Sequence, residues 1–153
     1  MKHAWNSLEN YLDVHSRTLR DYAHRMEDGL VREYYLKWWN PIYLELSCQK
    51  ILFVTDKGNH IRVDIRKEAE IDDTYARPRA RTLYYEYSCN TPGKNTLIRY
   101  DGPDPDYDPE KHPAHHAHHH RHDFTSGKEA ITLIPGNSWP HVSDFFEEVL
   151  KSF

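Results

Sequence analysis

Residues 50–66 read KILFVTDKGNHIRVDIR. Two arms, Lys50–Thr55 and His60–Arg66, flank a turn at Asp56-Lys57-Gly58-Asn59, the pattern of a β-hairpin. On the second arm Ile61, Val63 and Ile65 point one way, and Arg62, Asp64 and Arg66 point the other. Such alternation describes an antiparallel sheet with one covered face and one wet face.

Upstream, Val31–Trp39 and Ile42–Cys48 are aromatic-rich strand candidates separated at Asn40-Pro41. Trp38, Trp39 and Tyr43 are assigned to the core, the alternative being a seat for a partner segment. Residues 5–28 predict one amphipathic helix, with Trp5, Leu8, Leu12, His15, Leu19, Tyr22 and Met26 forming a stripe. Asn6 and Glu9 fit a capping box, Gly29 a C-terminal stop, and His15 a packed or edge histidine.

Downstream, residues 67–81 are polar and mixed in charge and predict a loop, ending in the basic run Arg77, Arg79 and Arg81. That run reads as a solvated connection or, functionally, as a phosphate-contacting arm. A second hairpin follows: Thr82–Cys89, a turn over 90–94, and Thr96–Tyr100, with Leu83, Tyr85 and Tyr87 sharing a face. Residues 102–127 form a Pro/His-rich loop, and Glu129–Ile134 is a last strand candidate. Val142, Phe145, Phe146, Val149, Leu150 and Phe153 give a closing helix over 140–152 its apolar face, with Pro140 in the first turn. The whole, 1–153, reads as one α+β domain: an N-terminal amphipathic helix, an antiparallel sheet of about five to six strands, and a C-terminal amphipathic helix packed on one sheet face.

With 153 residues, eleven Tyr, five Phe and four Trp, the chain can bury an aromatic core without staples. Charged residues make up 29%, no apolar run reaches bilayer length, and the first residues lack an apolar signal core, so a cytoplasmic protein without membrane contact is expected. Cys48 and Cys89 fall on predicted strands and are expected to be reduced, buried thiols. A net charge of -4 argues against a general duplex-binding protein but leaves room for a nuclease with a local basic site.

The segment His112–His122, HPAHHAHHHRH, holds seven histidines in eleven residues. Neither packing nor turn formation calls for such a run. Its internal position, and its interruption by Pro113, Ala114, Ala117 and Arg121, distinguish it from an expression tag.

With the aromatic strand TLYYEY (82–87), the ending Arg99-Tyr100-Asp101, the histidine segment and the helix WPHVSDFFEEVL (139–150) in view, the chain resembles the TumE-like proteins, toxins of prokaryotic toxin–antitoxin pairs. His119-His120-Arg121-His122 matches that family's His-His-Lys-His pattern best; His115-His116-Ala117-His118 is a second candidate. The chain departs from the family at Gly102, where Asn is usual, and in its extra histidines. The resemblance implies a growth-inhibiting toxin and a cognate helix-turn-helix antitoxin, without fixing a chemistry.

Two chemistries suit the loop. A metal-independent ribonuclease would use two of His119, His120 and His122 as base and acid. Arg99 and Arg121 would hold the phosphate and Asp101 would orient a histidine, with Tyr84 and Tyr100, taken as exposed, stacking on unpaired bases. Arg77, Arg79 and Arg81 would add phosphate contacts, and no cofactor would be required. Alternatively, His116, His118, His120 and His122 project to one side of an extended chain and could chelate Zn or Ni, with Asp101 or Asp123 completing the shell. A disordered His-rich loop with incidental nickel affinity, and a pure interaction module, are the non-catalytic alternatives. A homodimer is also a candidate assembly.

Overall fold

The computed structural model describes residues 2–93, 95–135 and 139–153. Its element order is β1 (Asn6–Ser7), α1 (Leu8–Tyr22), β2 (Tyr35–Asn40), β3 (Tyr43–Val54), β4 (His60–Asp72), β5 (Arg79–Asn90), β6 (Thr96–Asp101), β7 (His120–Asp123), β8 (Ala130–Leu133) and α2 (Val142–Ser152). Strands β2 to β8 lie side by side in chain order, all antiparallel, and β1 pairs with the start of β5. The fold is α+β as expected, but its sheet has eight strands rather than five or six.

Both helices cover one face of the sheet. Leu19 of α1 and Val142, Phe145, Phe146, Val149 and Leu150 of α2 pack on Phe53, Ile61, Val63, Ile65, Tyr87 and Ile98. A smaller cluster seats Tyr11 of α1 against Leu44, Leu46, Ala69, Ile71 and Ala80. At roughly 1.5–3 kcal/mol per fully buried large apolar side chain, these contacts are what hold α2 on the sheet. His15 is buried, as expected, while Cys48 and Cys89 are buried free thiols. No helix among the described residues is long and apolar enough to cross a membrane.

Helix α1 is shorter than the predicted 5–28. Ser7, not Asn6, caps it, its Oγ accepting from the Asn10 N–H at 3.1 Å. Asn6 is drawn into β1, and Trp5 lies outside the helix beside the guanidinium groups of Arg79 and Arg81. The chain leaves α1 through a 3-10 turn at Ala23–Arg25, so Gly29, with φ +66°, closes a following turn, its N–H donating to Met26 O, rather than the helix. At the other end, α2 begins after its cap, His141, and Pro140 precedes the cap instead of sitting in the first turn.

The largest correction concerns 67–81, which is not a loop. Strands β4 and β5 continue through most of it, with Glu70 opposite Arg81 and Asp72 opposite Arg79. The inward positions are Lys67, Ala69, Ile71 and Ala80, and the charged Lys67 and the two small alanines hide the period of two. The outward ones are stabilised by the ion pairs Arg79–Asp72 (3.1 Å) and Arg81–Glu70 (2.7 Å). Likewise the expected strands Ile42–Cys48 and Lys50–Thr55 run together, except for Ile42 and Thr55, as one strand, β3; a bulge after Cys48, with Lys50 at φ +58°, resets the alternation so that Ile51 and Phe53 face the helices. A second bulge takes Leu83 off the face it was assigned: Ala69 pairs with Thr82 and Glu68 with Tyr84, leaving Leu83 between. Tyr85 and Tyr87 do share the buried face. Of the predicted 90–94 turn, Lys94 lies outside the described residues.

Trp38 and Trp39 are not core. They stand on the edge strand β2, which no helix covers, and are 47% and 56% exposed. Nor is 102–127 one loop: it contains a 3-10 turn at Ala114–Ala117 and strand β7, which extends the sheet beyond β6 and supplies β8 with a neighbour.

Candidate metal centre

The end of β6 pairs with β7 so that Arg99 is opposite His122, Tyr100 opposite Arg121, and Asp101 opposite His120. Because side chains alternate along a strand, this register sorts the candidate residues onto two faces. Arg99, Asp101, His120 and His122 stand together on the face away from the helices. Tyr100 and Arg121 point toward α2, where Glu148 accepts from the Tyr100 hydroxyl and from Arg121 Nε and Nη2 at 2.9 and 2.6 Å. Burial raises the Glu148 carboxyl above its ordinary range. Tyr100 and Arg121 are therefore part of the α2 docking surface rather than of the histidine cluster, and Tyr100 is partly buried against Phe145 instead of exposed.

The loop from Gly102 to His119 folds over the first group. Gly102 leaves β6 so tightly that an added Cβ would sit 3.0 Å from Tyr85 Cδ1 and 3.2 Å from its backbone nitrogen. Asp104 N–H bonds to His116 O at 2.8 Å, tying the two arms of the loop together. The 3-10 turn then lays His115 and His116 over His120, with ring centroids at 4.9 and 5.7 Å. Under this cover His120 is 2% exposed, His122 3% and Asp101 5%.

Second partners fix the imidazoles. His120 Nδ1–H donates to the His118 carbonyl at 2.8 Å, and His122 Nδ1–H donates to Glu129 Oε1 at 2.5 Å. Both acceptors lack a proton to give, so each Nδ1 carries the hydrogen and each Nε2 turns inward. The two Nε2 atoms meet Asp101 Oδ2 at 3.4 and 3.1 Å. Arg99 grips the same carboxylate through Nε at 2.9 and 3.0 Å, and its Nη2 lies 3.2 Å from His122 Nε2. Burial opposes charge on Asp101, but the adjoining His120 ring and the Arg99 guanidinium outweigh it and lower its pKa. Burial likewise works against the imidazolium of His120, and the nearby Asp101 carboxylate and the His118 carbonyl overcome it, raising that pKa. The His115 pKa is lowered by burial and by its histidine neighbours.

His115, His120 and His122 can each bring one ring nitrogen to within 4.8 Å of the others, so this group could hold a metal ion. The set differs from the expected His116, His118, His120 and His122. His118 is exposed and contributes its carbonyl instead, and His116 stacks on His120. The kink at Pro113 and the 3-10 turn break the extended alternation on which the expected set depended. His119 is on the helix side, its Nδ1 2.7 Å from the Tyr85 hydroxyl and its ring against Trp139; burial lowers its pKa to about 4. Of the expected shell-completing acids, Asp101 is in place, whereas Asp123 caps a turn at Thr125 and pairs with Arg121. His115 and Glu129 are the additions. His115 was visible in the histidine run, but nothing in the sequence singled out Glu129.

Beside the centre lies a cleft of about 530 Å³ lined by Arg66, Tyr84, Glu86, Arg99, His116 and His120 among others. Tyr84 is half-buried, with the Arg66 guanidinium over its ring at 5.4 Å. The basic run is spread out: Arg77 is exposed in the β4–β5 turn, while Arg79 and Arg81 are held by Asp72 and Glu70 at the far end of β5, roughly 16–24 Å along the strand from Glu86. No family model, curated protein or solved structure matches this chain.

Proposed function

We propose that this protein is a metal-dependent phosphodiesterase, acting on RNA as the toxin of a TumE-like pair, with His115, His120 and His122 as ligands of zinc or nickel. The observation that carries the metal site is the pair of buried imidazoles whose Nδ1–H groups are already committed, to His118 O and to Glu129. Ligating histidines characteristically use the second nitrogen this way, since the outer bond fixes tautomer and ring orientation. Three protein nitrogens with one open position are the donor set of a hydrolytic zinc site. A bound metal would supply a hydroxide nucleophile near neutral pH and polarise a phosphoryl oxygen.

The surrounding residues then take distinct roles. Arg99, whose Nη2 lies 3.2 Å from His122 Nε2, would offer its guanidinium to the phosphate. Asp101 holds Arg99 and balances the charge of the centre. Tyr84 presents a ring to an unpaired base in the cleft. The metal-free alternative is less well supported, because His119 faces the helix side and His120 and His122 converge on one point beneath the loop. In-line cleavage by acid and base calls for groups at the two ends of the scissile bond. A helix-turn-helix antitoxin would neutralise such a toxin by covering the cleft in the cytosol.

The test is incubation of metal-stripped protein with single-stranded RNA, with and without added zinc and with EDTA. Cleavage restored by zinc supports the proposal. Cleavage that persists in EDTA returns the chemistry to the histidines alone, and an intact transcript throughout rejects nuclease activity.

A further inference from the structure

A second polar cluster lies on the helix side of the sheet, away from the histidine centre. Lys67 occupies an inward position of β4, between Ile65 and Ala69, and is 5% exposed. Among the described residues it forms no ion pair; the Asp144 carboxylate of α2 favours its charge only from a distance, and the Tyr87 ring lies 5.7 Å away. A charge in such a place needs compensation.

Neighbouring imidazoles add donors rather than acceptors. His141 Nδ1 accepts from Ser143 N–H at 3.3 Å, and His3 Nδ1 accepts from Thr82 N–H at 3.0 Å. Each ring therefore carries its hydrogen on Nε2. His141 Nε2 is buried and has no partner. Lys67, His3 and His141 all line one small, partly enclosed cavity of about 30 Å³, together with Thr82, Tyr85, Tyr87, Trp139 and Pro140. Three side chains with N–H donors line a space of about the size of one water. His15, the acceptor nearest in chemistry, keeps its free Nε2 outside the cavity lining.

We propose that this chamber is a binding site for a small inorganic monoanion of chloride size, held by the Lys67 ammonium and the Nε2–H groups of His3 and His141. The anion neutralises the buried lysine and joins three separate parts of the chain: the N-terminal arm, β4 and the cap of α2. A larger anion such as sulfate exceeds the volume, which makes the site selective by size. The site is independent of the proposed metal centre and stands whether or not that centre binds zinc.

The experiment is thermal unfolding in potassium chloride, bromide, sulfate or gluconate at matched ionic strength, paired with a bromide-soaked crystal. Sulfate, which stabilises by exclusion, should raise the unaltered protein and Lys67→Met alike, whereas chloride and bromide should each raise the midpoint of the unaltered protein by roughly 5 °C over gluconate at saturation. Lys67→Met should abolish the difference. An anomalous bromide peak should appear between Lys67, His3 and His141, and this arm decides the matter if the variant fails to fold. Equal midpoints in chloride and gluconate, or a chamber that holds water alone in the bromide crystal, overturn the proposal.

Discussion

Glu129→Gln is the sharpest probe of the metal centre, because it changes a group that would never touch the metal. Glu129 Oε1 accepts the His122 Nδ1–H at 2.5 Å, and its side chain is 46% exposed. Glutamine keeps the length and one acceptor but removes the negative charge that makes His122 Nε2 a stronger donor. Outer partners of this kind change metal affinity by about 10–100-fold, or roughly 1.4–2.7 kcal/mol. Fold stability should change by about 1 kcal/mol or less, since a half-exposed pair is screened by solvent. Competition against a chromogenic chelator would measure zinc affinity, and a denaturant melt would verify the fold. Glu110→Gln, an acid of the covering loop, is the control. Zinc affinity in Glu129→Gln within twofold of the unaltered protein, in a variant that folds normally, would refute the role assigned to Glu129.

Phe146→Ala should cost about 3–5 kcal/mol in urea unfolding, because the ring is fully buried against Phe53 and Tyr22. Glu148→Ala should destabilise by roughly 1–3 kcal/mol, leaving Tyr100 and Arg121 without their shared acceptor, yet leave zinc affinity unchanged because both face away from the centre. In chloride-free buffer, stability should rise with pH. Burial lowers Lys67 from 10.5 to about 7, so the unfolded chain binds the extra proton between those values; the burial penalty is complete below pH 7 and relieved toward pH 10.5. The upper bound is about 5 kcal/mol, and Lys67→Met should flatten the rise between pH 7 and 9 in thermal melts. Burial also holds His3 and His141 at about 4 against 6.5, so the same melts should lose stability as pH falls through 6.5 toward 4.

The hairpin at 50–66, the buried face of α2 and the antiparallel arrangement were legible because their apolar residues are large and regularly spaced. The strand halves within 67–81 were not, since Lys67 and the alanines occupy inward positions while ion pairs, not apolar residues, mark the outward ones. The bulges at Leu83 and after Cys48 shift the side-chain alternation by means that depend on the neighbouring strand. At the site, Arg99-Tyr100-Asp101 and the histidine run identified the right two segments. Whether adjacent residues cooperate depended on β7 pairing with β6, which put His120 and His122 on one face and Arg121 on the other. The same alternation put His119 on the helix side, and Glu129 came from the approach to β8, a contact that only the folded chain makes.

Zinc stoichiometry by native mass spectrometry, after stripping and stepwise addition of the metal, tests the central claim most directly. One ion per chain is expected, lost in His120→Ala/His122→Ala, weakened in His115→Ala, and retained in His118→Ala and His112→Ala. Failure to bind near stoichiometric zinc, or binding undiminished in the His120/His122 double variant, would contradict it.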